Sequence, residues 1–467
     1  MIHYCTDKTI TAELLIEQSI QRLRAATNAG HQEQLIFHFT HTQHYLPEQP
    51  RLDLLALIQI ALDHNSEPVI EGCITICNPE RLEQVQLLTD SNGVLKRYSQ
   101  QHSLPWLVMS EPWLLAPVHI PKPWGQEIWY TGIESRGQAE VVGDGGNVPL
   151  PWLLELMPRM LGLKEDRQLI LLKVLDPLAE EVYGDLYFEL HQEKQEVYVV
   201  THIDQQAWPE GTGAIQLGFA EQKRQLFRDD QEFKRAYLSA VKEYEQVRRE
   251  LDKKLDDKKH QAGFEPCQAV DVTLLISWIN ELSQPIENKE LLLKENALRE
   301  AMNSFIAQHP LIVGDVVTVP KLVPHALQHG VRVVEFQTPV YERKILSFAQ
   351  KVLTQDHWNT EEALGVVDMD FSTLQSPELL DASENMTVER VVNFDDFEVR
   401  RIRLDGEYLL VGDDYLVVMV VQGHLNLPSV GSKGGYRPGQ ALIVPRSERG
   451  WLVSGSDSCI FLVASAR

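Results

Sequence analysis

The spacing of apolar residues changes twice along this chain, and the change restricts the folds it can adopt. From about residue 120 to 220 the apolar residues come in short alternating or continuous runs, such as 169–175, which predict β-strands. From 221 to 308 they recur at three- and four-residue steps, starting at Phe233 and Tyr237, which predicts a long helix followed by helices at about 272–282 and 290–306. Strand periodicity returns at Leu311. The pattern therefore predicts a β-rich unit with a helical insertion.

Length and charge exclude several classes of protein. At 467 residues the chain is too long for one hydrophobic core. Its net charge of −24 disfavours nucleic acid and anionic membrane surfaces as partners. No apolar run is long enough to cross a bilayer, and the first residues lack the pattern of a secretory signal. The five scattered cysteines indicate reduced thiols, so we expect a cytoplasmic protein. With nucleic acid and membrane disfavoured, we expect its partner to be a small molecule.

The domain prediction follows the changes of periodicity. The first 115 residues are predicted to form an α/β region of unknown type and function, with helices at 11–26 and 52–62. Residues 366–385 are polar and acidic and are predicted to be a linker. The predicted boundaries are 1–115 for the N-terminal region, 116–220 and 309–375 for the two parts of a β-barrel, 221–308 for the helical insertion, and 386–467 for a C-terminal β-barrel.

Three evenly spaced histidines in the N-terminal region have the residue type and spacing of a possible metal site. His38, His41 and His44 are three residues apart and would form a partial stripe on a helix. The intervening Phe and Thr residues instead favour a strand, which places His41 on the face opposite the other two. We assign no chemistry to this region.

The stretch 187–200, YFELHQEKQEVYVV, is the strongest candidate for chemistry. It is predicted to be a hairpin of two strands joined by a polar turn. Glu189 and His191 are two residues apart and would share a face, and Glu196 would lie on the adjacent strand. Carboxylates and imidazoles are ligands for divalent metals, although a solvated strand face would give the same alternation.

A repeated segment extends this candidate site. Residues 314–320, GDVVTVP, resemble 439–445, GQALIVP, as two related β-barrels would. Five residues beyond the first segment is His325, whereas Gly450 occupies the corresponding position after the second. The hypothesis is therefore one metal site, in the first barrel only, with the ligands Glu189, His191, Glu196 and His325.

An ordered set of motifs resembles the type I phosphomannose isomerases, a family of zinc-dependent cupin enzymes. The motifs are KPWGQEIW at 122–129, LKVLD from Leu172, ELH at 189–191, EKQEVYVV at 193–200, VPKLVPHAL at 319–327, HGVRVVEFQTPVYER at 329–343 and GQALIVP at 439–445. The resemblance covers roughly residues 120–467. It implies a mainly β fold with two cupin-type jelly-roll barrels and a helical insertion.

The resemblance also implies catalytic residues. Glu335 matches the family's acidic residue and would be the general base. Arg343 matches its catalytic arginine and would stabilise an ene-diolate or hold phosphate. Lys194, two residues before the metal-binding glutamate, would contact substrate. The alternatives are a carboxylate that caps a strand edge for Glu335, an exposed arginine in a salt bridge for Arg343 and a solvated turn lysine for Lys194.

Two departures from the family pattern bear on the metal and the substrate. Glu189 stands where the family has a metal-binding glutamine, which adds negative charge and shifts the preference from Zn²⁺ toward Mn²⁺ or Fe²⁺. Leu322 and Val323 replace a Gly-Thr pair, which changes the pocket beside the histidine.

Three functions remain open from the sequence. The first is a metal-dependent isomerase of a sugar phosphate, which would convert mannose 6-phosphate to fructose 6-phosphate. The second is a non-catalytic cupin that senses a sugar or a metal, and the third is an iron or manganese cupin oxidoreductase. The oligomeric state is not predicted.

Overall fold

The contacts of the chain divide it into two compact units. The computed structural model describes residues 2–5, 10–26, 31–89, 91, 93–159, 161, 163, 169–265, 270–349, 357–371, 376–427 and 435–467. The first unit comprises Met1–Val118, Trp129–Leu172 and Pro377–Arg467, and the second comprises His119–Ile128 and Lys173–Ser376. None of the described helices is both long and apolar enough to span a membrane.

Most of the helices lie in the N-terminal region and in the predicted insertion. In chain order they are α1 (Ala12–Ala25), α2 (Pro79–Gln86), α3 (Val94–Gln101), α4 (Leu150–Leu156), α5 (Glu221–Arg224), α6 (Asp230–Gln261), α7 (Val272–Leu282), α8 (Ile286–Asn303) and α9 (Thr360–Val366).

Strands account for most of the remaining described structure. The first sixteen are β1 (Ile2–Cys5), β2 (Glu33–Thr42), β3 (Arg51–Leu62), β4 (Pro68–Ile76), β5 (Leu107–Val108), β6 (Trp113–Ala116), β7 (Val118–Lys122), β8 (Gly125–Trp129), β9 (Ile133–Glu134), β10 (Gly137–Gln138), β11 (Glu140–Gly143), β12 (Gly146–Pro149), β13 (Leu171–Pro177), β14 (Phe188–Leu190), β15 (Glu196–Ile203) and β16 (Gly213–Phe219). Those after the helical insertion are β17 (Ile306–Leu311), β18 (Val316–Val319), β19 (His325–Leu327), β20 (Val331–Gln337), β21 (Lys344–Ser347), β22 (Glu378–Ser383), β23 (Met386–Asn393), β24 (Phe397–Leu410), β25 (Leu416–Asn426), β26 (Ala441–Val444) and β27 (Trp451–Ala466). The fold is thus mainly β with several sheets, as predicted.

The first unit contains two large sheets within the described residues. One has the strand order β12-β11-β6-β26-β25-β27-β24-β23-β22, and the other has the order β1-β2-β3-β4-β5. The face of the C-terminal strands that carries Val418, Leu442 and Phe461 packs into a buried apolar core.

The prediction of a helix at 52–62 is wrong, because this segment is the central strand β3. It pairs with β2 on one side and β4 on the other. Residues 54–58, LLALI, are all buried. A strand buried on both faces shows a continuous apolar run, and a short run of this kind does not distinguish a strand from a buried helix.

The second unit builds its core between two sheets. Their strand orders are β18-β15-β20-β13-β8-β7 and β17-β16-β19-β14-β21. Tyr198 and Val333 from the first sheet and Leu327 and Ile345 from the second meet in one buried apolar cluster. Side chains alternate along each strand, so every second residue of these strands points into this interior.

The predicted hairpin at 187–200 is wrong in its pairing, although both of its strands exist. Strand β14 pairs with β19 and β21, whereas β15 pairs with β18 and β20. The polar segment between them, 191–195, therefore crosses from one sheet to the other. The consequence for the site is that its residues approach from opposite walls of the interior.

The helical insertion packs on the outer face of the second sheet. Helix α6 covers the predicted periodic segment from Phe233, and the side chain of Asp229 accepts a hydrogen bond from the main-chain N–H of Glu232 at its start. Its apolar stripe, which includes Phe233 and Tyr237, packs against Phe188 and Ala326. Because Phe188 and Ala326 point outward, their chain neighbours Glu189 and His325 point inward.

Two further predicted helices are confirmed, whereas the predicted end of a third helix and part of the predicted linker are wrong. Helix α1 confirms the helix at 11–26, and α7 confirms the helix at 272–282. The helix predicted over 290–306 ends at Asn303, because β17 starts at Ile306. Part of the predicted linker 366–385 is strand β22, and residues 372–375 lie outside the described residues.

Candidate metal centre

The candidate site lies in the interior of the second unit, where polar residues interrupt the apolar core. Glu196 and Tyr198 point inward from β15, and Glu335 lies directly opposite Tyr198 on β20. His325, at the start of β19, comes from the other sheet. His191 follows β14 immediately, in the segment that crosses between the sheets.

His191 is oriented by its neighbours as a metal ligand would be. Its Nδ1 donates to the main-chain oxygen of Glu342 at 2.8 Å, which leaves Nε2 with the lone pair. The ring is 1% exposed, and Nε2 has no hydrogen-bond partner among the described residues. Burial lowers the pKa of His191 well below its usual value, and the charge of Lys194 lowers it further. The imidazole is therefore neutral, with a buried lone pair aimed into the interior.

Glu196 and His325 complete a compact group with His191. Glu196 Oε2 lies 3.1 Å from His325 Nε2, and Glu196 Oε1 lies 3.5 Å from His191 Nε2. Burial alone would raise the pKa of Glu196, but Lys194 and the two histidines hold it well below its usual value. Burial likewise opposes protonation of His325, yet its hydrogen bond to Glu196 raises its pKa. The site thus combines an ionised carboxylate with two imidazoles.

These residues fit a divalent metal. One ligand atom from each of His191, Glu196 and His325 lies within 4.8 Å of the others, and all three residues are buried. Two imidazoles and a carboxylate suit zinc, manganese or iron. The buried, unpartnered Nε2 of His191 supports the same conclusion, because such an atom costs free energy unless it binds something.

Glu189, the fourth predicted ligand, lies beside this group and contacts Arg343. Its Oε1 is 3.8 Å from His191 Nε2, while its Oε2 is 3.4 Å from Nη1 of Arg343. The guanidinium of Arg343 also stacks over the ring of Tyr187 at 4.9 Å. Two of the predicted site residues are therefore paired with each other, and Glu189 places a negative charge beside Arg343.

Lys194 and Glu335 occupy the same interior. Lys194 Nζ is 2.6 Å from Glu196 Oε1, so its charge is directed at the candidate ligand. Glu335 is 1% exposed and pairs with Lys173, whose Nζ lies 3.3 Å from Glu335 Oε2. Burial raises the pKa of Glu335 to about 7, even though Lys173 lowers it. A carboxyl group with this pKa can both accept and release a proton near neutral pH.

Two residues of this site were missed by the sequence interpretation. Lys173 was noted only as part of the motif LKVLD, although a lysine in a buried strand between leucines and valine is itself a signal. Glu342 Oε1 accepts from the main-chain N–H groups of Gln192 and Glu193, at 2.7 and 3.0 Å. Glu342 lies within the motif at 329–343, but its role could not be predicted, because its contacts are about 150 residues away in the chain.

The three N-terminal histidines lie on or next to β2, which confirms the strand prediction for this segment. His41 is buried, His38 is half-buried and His44 is exposed. Among the residues that the structure describes, they take part in no group with metal-binding geometry.

Comparison with solved structures gives a shared fold. The chain is similar to the mannose 6-phosphate isomerase from Bacillus subtilis, with 16% identity, a TM-score of 0.52, and coverage of 76% of this chain and 99% of that one. It is also similar to a phosphomannose isomerase mutant from Salmonella typhimurium, with 15% identity, a TM-score of 0.49, and coverage of 76% and 99%. At this identity the Bacillus subtilis structure shows the fold alone. No protein-family model and no curated protein matches the chain.

Proposed function

We propose that this chain is a metal-dependent aldose–ketose isomerase that interconverts mannose 6-phosphate and fructose 6-phosphate. The observation that carries the proposal is the buried group His191, Glu196 and His325 beside the Lys173–Glu335 pair. It places a divalent-metal ligand set next to a carboxyl group whose pKa, raised by burial, lies near 7. The shared fold with a mannose 6-phosphate isomerase supports the choice of substrate.

The architecture belongs to the same proposal. We interpret the two packed sheets of the second unit as one cupin-type barrel and the C-terminal strands of the first unit as a second barrel that binds no metal. The strongly acidic chain suits a cytoplasmic enzyme with a small anionic substrate, because local cations can bind phosphate inside an otherwise negative protein.

The chain's own residues can carry out the proton transfer. The ionised carboxylate of Glu335 removes the proton from C2 of the aldose, and the electrons of that C–H bond form the C1=C2 double bond while the π electrons of the C1 carbonyl move to O1. The carboxylic acid then returns the proton to C1 as the C2 carbonyl forms. The hydroxyl proton passes from O2 to O1, so the product is the ketose. Lys173 keeps Glu335 ionised and lies where it can stabilise a developing oxyanion.

The remaining site residues would hold the metal ion and orient the substrate. His191, Glu196 and His325 would hold a divalent ion, which supplies Lewis acidity toward the substrate oxygens. Lys194 keeps Glu196 ionised through its 2.6 Å contact. Arg343, held by Glu189, would contact the ene-diolate or the phosphate.

The Glu189–Arg343 contact also favours a second candidate, a non-catalytic cupin that binds a sugar or a metal. A carboxylate that neutralises the arginine weakens its attraction for an anionic substrate or intermediate. This candidate predicts binding of a sugar phosphate without turnover.

Two variants test the proposal. His325→Ala should lose metal, measured by elemental analysis after dialysis, whereas Glu335→Gln should retain metal and lose turnover in a coupled assay for fructose 6-phosphate. Exposed His44, changed to alanine, is the control and should retain both. Full metal content in His325→Ala would refute the ligand assignment. Wild-type rates in Glu335→Gln would remove Glu335 as the base.

A further inference from the structure

Gln337 is a buried residue of the site interior that neither the predicted ligand set nor the proposed proton transfer uses. It is 0% exposed and lies at the end of β20. It is paired directly with Glu196 on β15 in the strand register. Cross-strand partners project from the same face with their Cβ atoms about 5 Å apart. The side chain of Gln337 therefore starts on the same inner wall as the candidate metal ligand Glu196.

The orientation of the Gln337 amide is fixed by the main chain. Its Nε2 donates to the carbonyl oxygen of Thr338 at 3.2 Å, an atom that can only accept. A rotated amide would place two acceptors against each other, so Oε1 is the end without a bond. Thr338 is itself held by hydrogen bonds in both directions with Gln195. The position of Gln337 is thus tied to the segment that precedes Glu196.

Gln337 Oε1 has no hydrogen-bond partner among the described residues, a condition that it shares with His191 Nε2. A buried acceptor without a partner costs free energy, which an apolar side chain of similar volume such as methionine would avoid. An unpartnered acceptor on the inner wall that carries Glu196 and Glu335 is suited to an O–H donor on a bound molecule.

We propose that Gln337 is a ligand-binding residue whose Oε1 accepts a hydrogen bond from a hydroxyl group of the sugar substrate. The inference rests on the proposed function and deepens it, since it assigns a contact to the polyol part of the substrate rather than to its phosphate. A neutral acceptor beside Glu196 can receive a hydroxyl proton without adding another negative charge to the site.

Thr318 offers a matched control on the same sheet. Its Oγ1 is also buried without a partner among the described residues. Thr318 pairs with Val197, the neighbour of Glu196, so it points away from the site interior. Thr318→Val removes an unpartnered buried acceptor of the same sheet from the face that does not contact the site.

The experiment measures binding to the metal-loaded protein by titration calorimetry. The probe is mannitol 6-phosphate, which has hydroxyl groups and a phosphate but no carbonyl carbon and so is not turned over. Gln337→Met should bind it about tenfold more weakly than the wild type, while binding of inorganic phosphate and of the metal should change less than about twofold. Thr318→Val should bind all three as the wild type does.

Stability gives a second readout that does not depend on the probe. Without sugar phosphate, Gln337→Met should melt close to the wild-type temperature, because removal of the unpartnered Oε1 offsets the loss of the Nε2 hydrogen bond to Thr338. If Gln337→Met fails to fold, or melts well below the wild type, Gln337 is a structural residue and the inference is wrong. Gln337→Asn, which keeps the amide but withdraws it by one methylene, should fold and show weakened binding of the probe.

The remaining outcomes separate this inference from the proposed function. Equal probe affinity in wild type and Gln337→Met refutes the role of Gln337 alone. Weaker metal binding with unchanged probe affinity makes Gln337 part of the metal centre and also refutes the inference. If the wild type binds neither mannitol 6-phosphate nor mannose 6-phosphate, both the proposed function and the role of Gln337 are wrong.

Discussion

At the scale of single residues, Glu342 shows how the segment 191–193, which carries the candidate metal ligand His191, is held in place. Its main-chain oxygen accepts from His191 Nδ1, and its carboxylate accepts from the N–H groups of Gln192 and Glu193. Three bonds from one residue fix both the tautomer of His191 and the path of the chain after it. Contacts of this kind typically change metal affinity by a factor of ten to a hundred.

Glu342→Ala should therefore weaken metal binding about tenfold, because the two N–H groups lose their acceptor and the segment gains freedom. Glu342→Gln is the matched control, since an amide oxygen can accept the same two bonds. Competition with a chromophoric chelator gives the affinities. Equal losses in the two variants would show that charge, rather than hydrogen bonding, is what Glu342 contributes.

The pH dependence of turnover should report on Glu335. Burial raises its pKa to about 7, and a base works only when ionised, so kcat/KM should fall as the pH drops through about 7. Lys173 lowers the pKa of Glu335, so Lys173→Met should move this limb about one unit or more toward alkaline pH. The measurement is a pH–rate profile of each protein.

Lys258→Met is the control for that shift. Lys258 belongs to α6 and pairs with Glu281 at 2.6 Å, and neither residue is among the groups that shift the pKa of Glu335, so its removal should leave the acid limb in place. An acid limb that stays in place in Lys173→Met would mean that another group controls it.

How far the sequence predicted the site can be judged from these residues. Glu196 and His325 belong to the motifs from which the metal site was predicted, and in the structure Glu196 Oε2 lies 3.1 Å from His325 Nε2. The contact between Glu189 and Arg343 could not be predicted, because 154 residues separate them and neither motif contains information about their pairing. The roles of these residues remain predictions until the variants are made.

At the scale of elements, Gly125 explains why the motif KPWG precedes a strand. Its φ is +142°, a region that side chains disfavour, and an added Cβ would lie 2.3 Å from the carbonyl oxygen of Asp176. The Trp124 carbonyl accepts from the N–H of Leu178, so the two segments are in contact at this point. Glycine is needed here because β8 approaches the end of β13, the strand that carries Lys173.

Gly125→Ala should therefore destabilise the protein by about 2–4 kcal/mol, the sum of backbone strain and a clash with main-chain atoms. Gly211→Ala is the control, because Gly211 also has a positive φ, +72°, but no atom lies within 4 Å of its added Cβ. It should cost only about 1 kcal/mol. Urea denaturation gives both values, and equal costs would mean that strain alone explains the glycine.

The two wrong predictions at this scale have different physical causes. Strand β3 was mistaken for a helix because an apolar run has no polar face to reveal its period. The stretch 187–200 was assigned a hairpin because a polar segment between two strands usually joins neighbours. Here each strand finds its partners more than 100 residues away, such as Glu196 with Val319 and Gln337. Local sequence does not determine which strands pair.

At the scale of the whole molecule, the candidate metal ligands all belong to the second unit. His191, Glu196 and His325 lie within Lys173–Ser376, whereas the C-terminal strands and residues 1–118 belong to the first unit. The helical insertion could be predicted as an element from its periodicity. The grouping of the elements into two units depends on long-range contacts that no periodicity records.

Metal should therefore stabilise one unit selectively. A ligand that binds only the folded form at a hundred times its Kd stabilises that form by about 2.7 kcal/mol, and the gain applies to the openings that break the site. Hydrogen exchange with and without Zn²⁺ should show slower exchange in β15, β19 and β20, and unchanged exchange in β2 and β3. The same experiment on His325→Ala should show no protection by the metal. If Zn²⁺ slowed exchange equally in β3 and β15 of the wild type, the metal would stabilise the chain as a single cooperative body. If Zn²⁺ still slowed exchange in His325→Ala, the metal would bind elsewhere.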